Sequence, residues 1–282
     1  MRWSGVRRTG LAVGLTLAVL VPSAFVSART HAVPRATAPA GYHIVSAHFS
    51  APPGMFDAGG QVSCPTGTVV WGGGATVDGA NNTINTSAFV ASSGWHARVN
   101  DVYASTQNFE VDAICAKKPK LYKFASHMVD DPAGTQRSGS VTCPTGTVLL
   151  SGSVLSDGDT TNVYLTSAWP NSVHTFTAVQ ENGSTSDEPF TVYALCAAKP
   201  AGYQIVRVTQ TASASGGIVE PEPNCGSGRS VIGGGVHVAP PNPSVFISYS
   251  SVGANSTTAW LGVVHNTGTT SVNVTTSTIC AS

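Results

Sequence analysis

After residue 40 the chain reads as short runs of β-branched and aromatic residues broken by clusters of Gly, Pro, Asn and Ser. This is a strand pattern; no apolar period of 3.6 residues is sustained, so helix content is expected to be very low. Tyr42 to Val45 and Tyr203 to Val208 form β-rich openings, each followed by a polar stretch and a Cys-led turn. Thr68 to Trp71 enters Gly72-Gly73-Gly74, small residues that suit a tight bend or a close backbone approach. Further strands are expected over Thr83 to Val90, Trp95 to Val99 and Phe109 to Cys115. The same order returns as Asn162 to Trp169, Thr175 to Gln180 and Phe190 to Cys196, and again as Ser244 to Ser250, Ala259 to His265 and Val272 to Cys280.

The recurrence is one of sequence as well as pattern. Cys64-Pro65-Thr66-Gly67-Thr68-Val69 matches Cys143-Pro144-Thr145-Gly146-Thr147-Val148, and Cys225-Gly226-Ser227-Gly228 follows more loosely. Phe109 to Ala116 aligns with Phe190 to Ala197 in the same way. Three repeats of about 80 residues result: 41–120, 121–201 and 202–282, each opening on a tyrosine, Tyr42, Tyr122 or Tyr203. Only six residues separate Cys115 from Tyr122 and Cys196 from Tyr203, too few for flexible beads. The expected fold is all-β, with the repeats packed as a pseudo-threefold, β-prism-like body. Three tandem small β-sandwiches in a rod are the alternative.

The amino terminus adds a compartment. Arg2, Arg7 and Arg8 precede the apolar run Leu11 to Val21 and the small residues Val26-Ser27-Ala28, which reads as a signal peptide over 1–28, followed by a flexible leader over 29–40. The apolar run is short for a bilayer span. Export puts six cysteines in an oxidising environment, where an even count implies disulfides. The pairs Cys64–Cys115, Cys143–Cys196 and Cys225–Cys280 make every copy identical and self-sufficient, although spacing alone permits other connectivities. Without the three signal arginines 11 basic residues face 14 acidic ones, which speaks against a nucleic-acid partner. Lys117, Lys118, Lys120 and Lys123 cluster at a repeat junction and read as a solvated turn.

The Cys-Pro-Thr-Gly-Thr lead, the glycine run and the closing Ala-Ile-Cys-Ala resemble repeat units of secreted proteins from high-GC Gram-positive bacteria, a group with no assigned function. In plan the chain is also similar to threefold β-prism proteins, the vitelline membrane outer layer protein and the jacalin-type lectins. That likeness implies carbohydrate binding.

Motifs for catalysis are missing: the sequence holds no Gly-x-Ser-x-Gly, no His-Glu-x-x-His and no phosphate-binding Gly-x-x-x-x-Gly-Lys. The chain is therefore read as a non-enzyme. Its histidines fall on different strands with no recurring pair, so no metal and no cofactor is assigned. Asp78-Gly79 and Asp157-Gly158-Asp159 could ligate calcium, but Asp-Gly is also a favoured tight-turn pair. A hydrolase using Asp112, Glu110 or Asp130 would need two carboxyl groups facing each other across a cleft.

Aromatic residues supply the candidate ligand site. Phe89, Trp169 and Tyr249 lie 25, 26 and 24 residues after the first cysteine of their repeats, and Trp95 and Trp260 recur on the next strand. Equivalent rings on a β surface could stack on sugar faces of a polysaccharide or cell-surface glycan, three weak sites acting together. Burial of the same rings in a core would instead favour a structural, envelope or protein-interaction role. Trp71, whose counterparts read as Ser151 and Gly233, stands apart.

Overall fold

A computed structural model describes residues 38–79, 82–158, 160–253 and 256–282. The segments expected from sequence to be a signal peptide (1–28) and most of the leader (29–40) lie outside the described residues. No helix occurs among them, and none is long and apolar enough to cross a membrane. Repeat one forms β1 (His43–Ala51), β2 (Ala58–Ser63), β3 (Val69–Val77), β4 (Thr83–Val90), β5 (Gly94–Asn100) and β6 (Gln107–Ala116). Repeat two forms β7 (Lys123–Val129), β8 (Thr135–Thr142), β9 (Val148–Ser156), β10 (Val163–Pro170), β11 (Thr175–Asn182) and β12 (Phe190–Ala197). Repeat three forms β13 (Gln204–Ala212), β14 (Gly217–Val219), β15 (Ser230–Ala239), β16 (Val245–Val252), β17 (Trp260–Asn266) and β18 (Val272–Ala281).

These strands make three six-stranded antiparallel sheets, and no sheet belongs to one repeat. The first runs β1-β6-β3-β16-β17-β14, the second β2-β5-β4-β9-β12-β7, the third β13-β18-β15-β10-β11-β8. Every repeat thus gives three strands to one sheet and three to the next. The repeats join through short pairings, Ser250 with Ala75, Ser87 with Val154 and Ala168 with Val236. This exchange excludes the rod of separate sandwiches and gives a three-sided, prism-like body.

Two sets of contacts close the ring. Each opening tyrosine reaches into the neighbouring repeat: Tyr42 donates to the Val231 carbonyl (2.8 Å), Tyr122 to that of Val70 (2.7 Å) and Tyr203 to that of Leu149 (2.7 Å). Burial raises all three phenol pKa values far above their ordinary range, so they stay donors. The disulfides form as Cys64–Cys115, Cys143–Cys196 and Cys225–Cys280, each with Cα atoms 5.6 Å apart. Cys64 follows β2 of the second sheet while Cys115 lies in β6 of the first, so the bridge staples two faces of the prism. Closing such loops is worth about 4 kcal/mol each in the chain-entropy model.

The glycine runs sit where the three repeats converge. A side chain on Gly72 would begin 2.4 Å from the Ile232 carbonyl, and one on Gly233 2.7 Å from that of Leu150. Close approach, rather than a chain turn, is their role, because β3 and β15 continue unbroken through them after a bulge at Trp71 and Ile232. One residue on, Gly73, Gly152 and Gly234 lie under Trp95, Phe176 and Trp260. Where the ring carries an indole N–H, the neighbouring strand supplies a serine: Trp95 Nε1 donates to Ser87 (2.9 Å) and Trp260 Nε1 to Ser250 (3.2 Å). Phe176 needs no acceptor, and Ala168 takes that place. A cavity of about 30 Å³ remains between them.

Two sequence expectations are corrected here. The polar stretch before each first cysteine is a strand, β2, β8 or β14, formed by pairing with β5, β11 or β17 despite its Gly, Ser and Thr content. Trp71 is matched by Leu150 and Ile232, not Ser151 and Gly233, because Val70, Leu149 and Val231 all stand opposite the second cysteine. All three side chains are buried core, and Trp71 Nε1 donates to the Lys117 carbonyl at 3.1 Å.

Candidate functional site

The five aromatic residues singled out by spacing do not share one environment. Trp95 and Trp260 are 1% and 2% exposed, beyond the reach of a ligand. Phe89, Trp169 and Tyr249 are half-buried but occupy three different slots. Each strand carries a bulge, and the residues just after it are Thr86, Ser167 and Tyr249. Tyr249 is therefore the counterpart of Thr86 and Ser167, Trp169 of Ala88 and Ser251, and Phe89 of Pro170 and Val252. The chain from first cysteine to bulge is two residues shorter in repeat one, which displaces Phe89, whereas it is equal in repeats two and three, where Trp169 and Tyr249 differ because their offsets of 26 and 24 were never the same.

Two of the three rings line surface depressions. Phe89 packs edge-on against Trp95 (centroids 4.7 Å) and Phe124 (5.2 Å), and with Phe124, Ala91 and Tyr193 borders a cleft of about 220 Å³ on the second sheet. Trp169 instead stacks on His237 at 4.2 Å on the third sheet, where burial pushes the imidazole pKa down and favours its neutral form.

Tyr249 borders a groove of about 560 Å³ on the outer face of the first sheet. The alternation of β1 and β6 turns Ser46 and His48, and Glu110 and Asp112, to the same face, with Ser46 opposite Asp112 and His48 opposite Glu110. Tyr249 arrives from repeat three, where β16 pairs with β3 opposite Thr76, so the groove lies on a repeat boundary. Ser256 and Thr257 add hydroxyl groups to its rim. A second depression of about 460 Å³ shares His48 and Glu110 and extends the groove to Thr76, Asn108 and Asp78.

Asp112 is the floor of the groove. Only 3% of it is exposed, and both carboxylate oxygens accept from serines: Oδ1 from Ser46 and Oδ2 from Ser251 at 2.5 Å. Desolvation raises its pKa above the ordinary 3.8, with Glu110 adding to the rise, while the two serines and His48 act against it. Burial, then the charges of Asp112, Glu110 and Glu222, push the Tyr249 phenol up to about 12. Its hydroxyl donates to the Val252 carbonyl at 3.0 Å, which orients the ring. Among the described residues lining the groove the basic group beside the carboxylates is His48, whose Nδ1 lies 3.9 Å from Glu110 Oε2. No Lys or Arg is among the described residues lining either depression.

Glu110 and Asp112, considered from sequence as hydrolase carboxylates, thus meet in one groove on one strand, not across a cleft. Asp130 is exposed in the β7–β8 turn and lines neither depression. Asp78-Gly79 forms a turn with Gly79 at φ +92°, closed by Asn82 Nδ2 donating to the Asp78 carbonyl at 2.6 Å. In repeat two Asp157-Gly158 precedes β10, and Asp159 lies outside the described residues. Ser46 and Ser251 escaped sequence reasoning. The alternation Glu110-Val111-Asp112 could have signalled a shared face, but nothing local pairs Ser251 with an aspartate 139 positions away.

Comparison with known proteins finds no family model that matches the chain and no curated protein similar to it.

Proposed function

We propose that this is a secreted, non-catalytic protein that binds a polysaccharide or cell-surface glycan in the groove of the first sheet. The carrying observation is that the groove combines an oriented tyrosine ring with carboxylate, hydroxyl and imidazole groups in a volume typical of small-molecule sites. A sugar ring offers an apolar C–H face for the tyrosine and hydroxyls for the polar groups. Three inter-sheet disulfides suit an extracellular protein, as does the charged-then-apolar amino terminus. The divergence of Phe89, Trp169 and Tyr249 replaces three equal sites with one principal one.

Binding is favoured over hydrolysis by the state of Asp112. A general acid must reach the leaving oxygen, yet Asp112 is covered and both its oxygens are engaged by serines. The test is retention of the mature protein on a panel of insoluble polysaccharides and cell-wall preparations, with Tyr249→Ala beside it. Retention lost at least tenfold in the variant supports the groove; retention of neither protein on any member ends the glycan reading.

A structural or envelope role is the second reading, and the burial of Trp95 and Trp260 favours it. The edge strand β13 exposes Thr209, Gln210 and Thr211, a polar rim open to pairing. Self-association in sedimentation velocity without glycan retention is the outcome that selects it.

A further inference from the structure

The three faces of the prism provide an internal control for the groove. The slot three residues before the second cysteine of each repeat points outward on β6, β12 and β18. It holds Asp112, Tyr193 and Ser277 respectively. Two residues earlier stand Glu110, Thr191 and Thr275, and on the adjoining edge strand His48, Met128 and Thr209. The frame therefore accepts a phenol or a hydroxyl where repeat one buries a carboxylate. Desolvating a carboxylate is costly, and two equivalent positions avoid it, so the fold does not require Asp112.

The cost is not recovered by a cation within the protein. Ser46 and Ser251 satisfy hydrogen bonding but bring no positive charge, and among the described residues His48 is the sole basic group lining the two depressions. Glu110 stands beside Asp112, and Asp78 lies at the far end of the second depression. Glu222 Oε1 lies 2.3 Å from where a side chain on Gly253, at the groove rim, would begin. Tyr249 completes the arrangement: its ring is half-buried at the same rim, and an aromatic face attracts a cation that carboxylates already favour.

We infer that the groove takes glycans bearing a free, protonated amine: the ammonium group sits against Glu110 and the Tyr249 ring, above the covered carboxylate of Asp112, and the sugar follows the joined depressions toward Asp78. The inference rests on the glycan reading and names its substrate class. The joined depressions, with His48 and Glu110 in common, suit an oligomer better than a single sugar.

The test is calorimetric titration of the mature protein with three oligosaccharides of one length: a β-1,4-linked glucosamine oligomer with free amines, its fully N-acetylated form, and a glucose oligomer of the same linkage. Binding of the free-amine oligomer at least tenfold tighter than the other two, weakening as salt rises, is expected. Glu110→Gln should cost about tenfold for that ligand, as the loss of one close charge pair predicts. Met128→Ala on the second sheet should change nothing. Equal or tighter binding of the acetylated or glucose oligomer overturns the charge selectivity and leaves the glycan reading intact. Binding of none of the three, with retention lost across the whole polysaccharide panel, removes both. A lysine oligopeptide that binds while the amino sugar does not overturns the sugar assignment and identifies a basic peptide as the ligand.

Discussion

The first and second sheets present the same backbone to solvent and opposite chemistry. Around Asp112 the outer face is acidic and hydroxyl-rich, with one tyrosine at the rim. Around its counterpart Tyr193 the face is aromatic, with Phe89 and Phe124 in edge-on contact and Met128 65% exposed. What stays constant is inward: the three disulfides, the three tyrosine bridges and the small residues at the centre. Threefold repetition has been kept for closing the body and released for the surfaces. Function is to be sought where the copies differ, and stability where they agree.

The sharpest way to break that division is to disturb the centre. Gly152 lies beneath Phe176, and a side chain there would begin 1.9 Å from the ring. Gly152→Val is expected to destabilise the protein by more than ~3 kcal/mol, because the ring is walled in and cannot move aside. Thermal unfolding checks this, and Thr191→Val on the outer face of the adjoining strand, within the usual surface range of ~0.5 kcal/mol, is its control. If the two variants melt together, the centre is not the rigid part.

A smaller effect examines whether the three copies are equal as frame. Tyr122→Phe leaves the Val70 carbonyl without its phenol donor and should cost ~1 kcal/mol. Tyr42→Phe and Tyr203→Phe should cost the same within about half of that, since their bonds match in length and partner position. A large spread in denaturant midpoints would mean that one boundary closes the ring and the others follow.

The opening tyrosines and cysteine spacing were legible in the sequence because each is a local signal repeated three times, and the glycine runs because they recur in two copies. Strand exchange was not, since Ser87 pairs with Val154 and Ala168 with Val236 through contacts that leave no local periodicity. The same limit explains the site. Glu110 and Asp112 alternate on one strand and could be read together, whereas Tyr249 and Ser251 join them only across the β3–β16 pairing. Phe89, Trp169 and Tyr249 are not equivalent because the stretch before the bulge is shorter in repeat one alone, and in repeats two and three offsets of 26 and 24 fall at different distances beyond an equally placed bulge. Ser87 with Trp95, Ser250 with Trp260 and Ala168 with Phe176 form a covariation visible in the sequence to anyone who already knows which strands touch.

The least disruptive change bears most directly on the contrast between faces. Asp112→Asn keeps the shape and can still bond Ser46 and Ser251 while removing the charge. Burial raises the Asp112 pKa, so the folded protein holds this proton more tightly than the unfolded chain does. Below about pH 3.8 both states are protonated and the carboxyl costs nothing. As pH rises from there through the raised folded value the ionised group becomes a penalty, which persists at neutral pH. Glu110 adds to the penalty, and the hydrogen bonds from Ser251 and Ser46, with the charge on His48, oppose it without cancelling it. The variant should therefore melt a few degrees above the native protein at pH 7, with the gap closing toward pH 3.5, and should bind glycan less well. A residue that lowers stability where it stands and yet is needed for binding has been kept for the groove; equal melting at both pH values would return Asp112 to the frame.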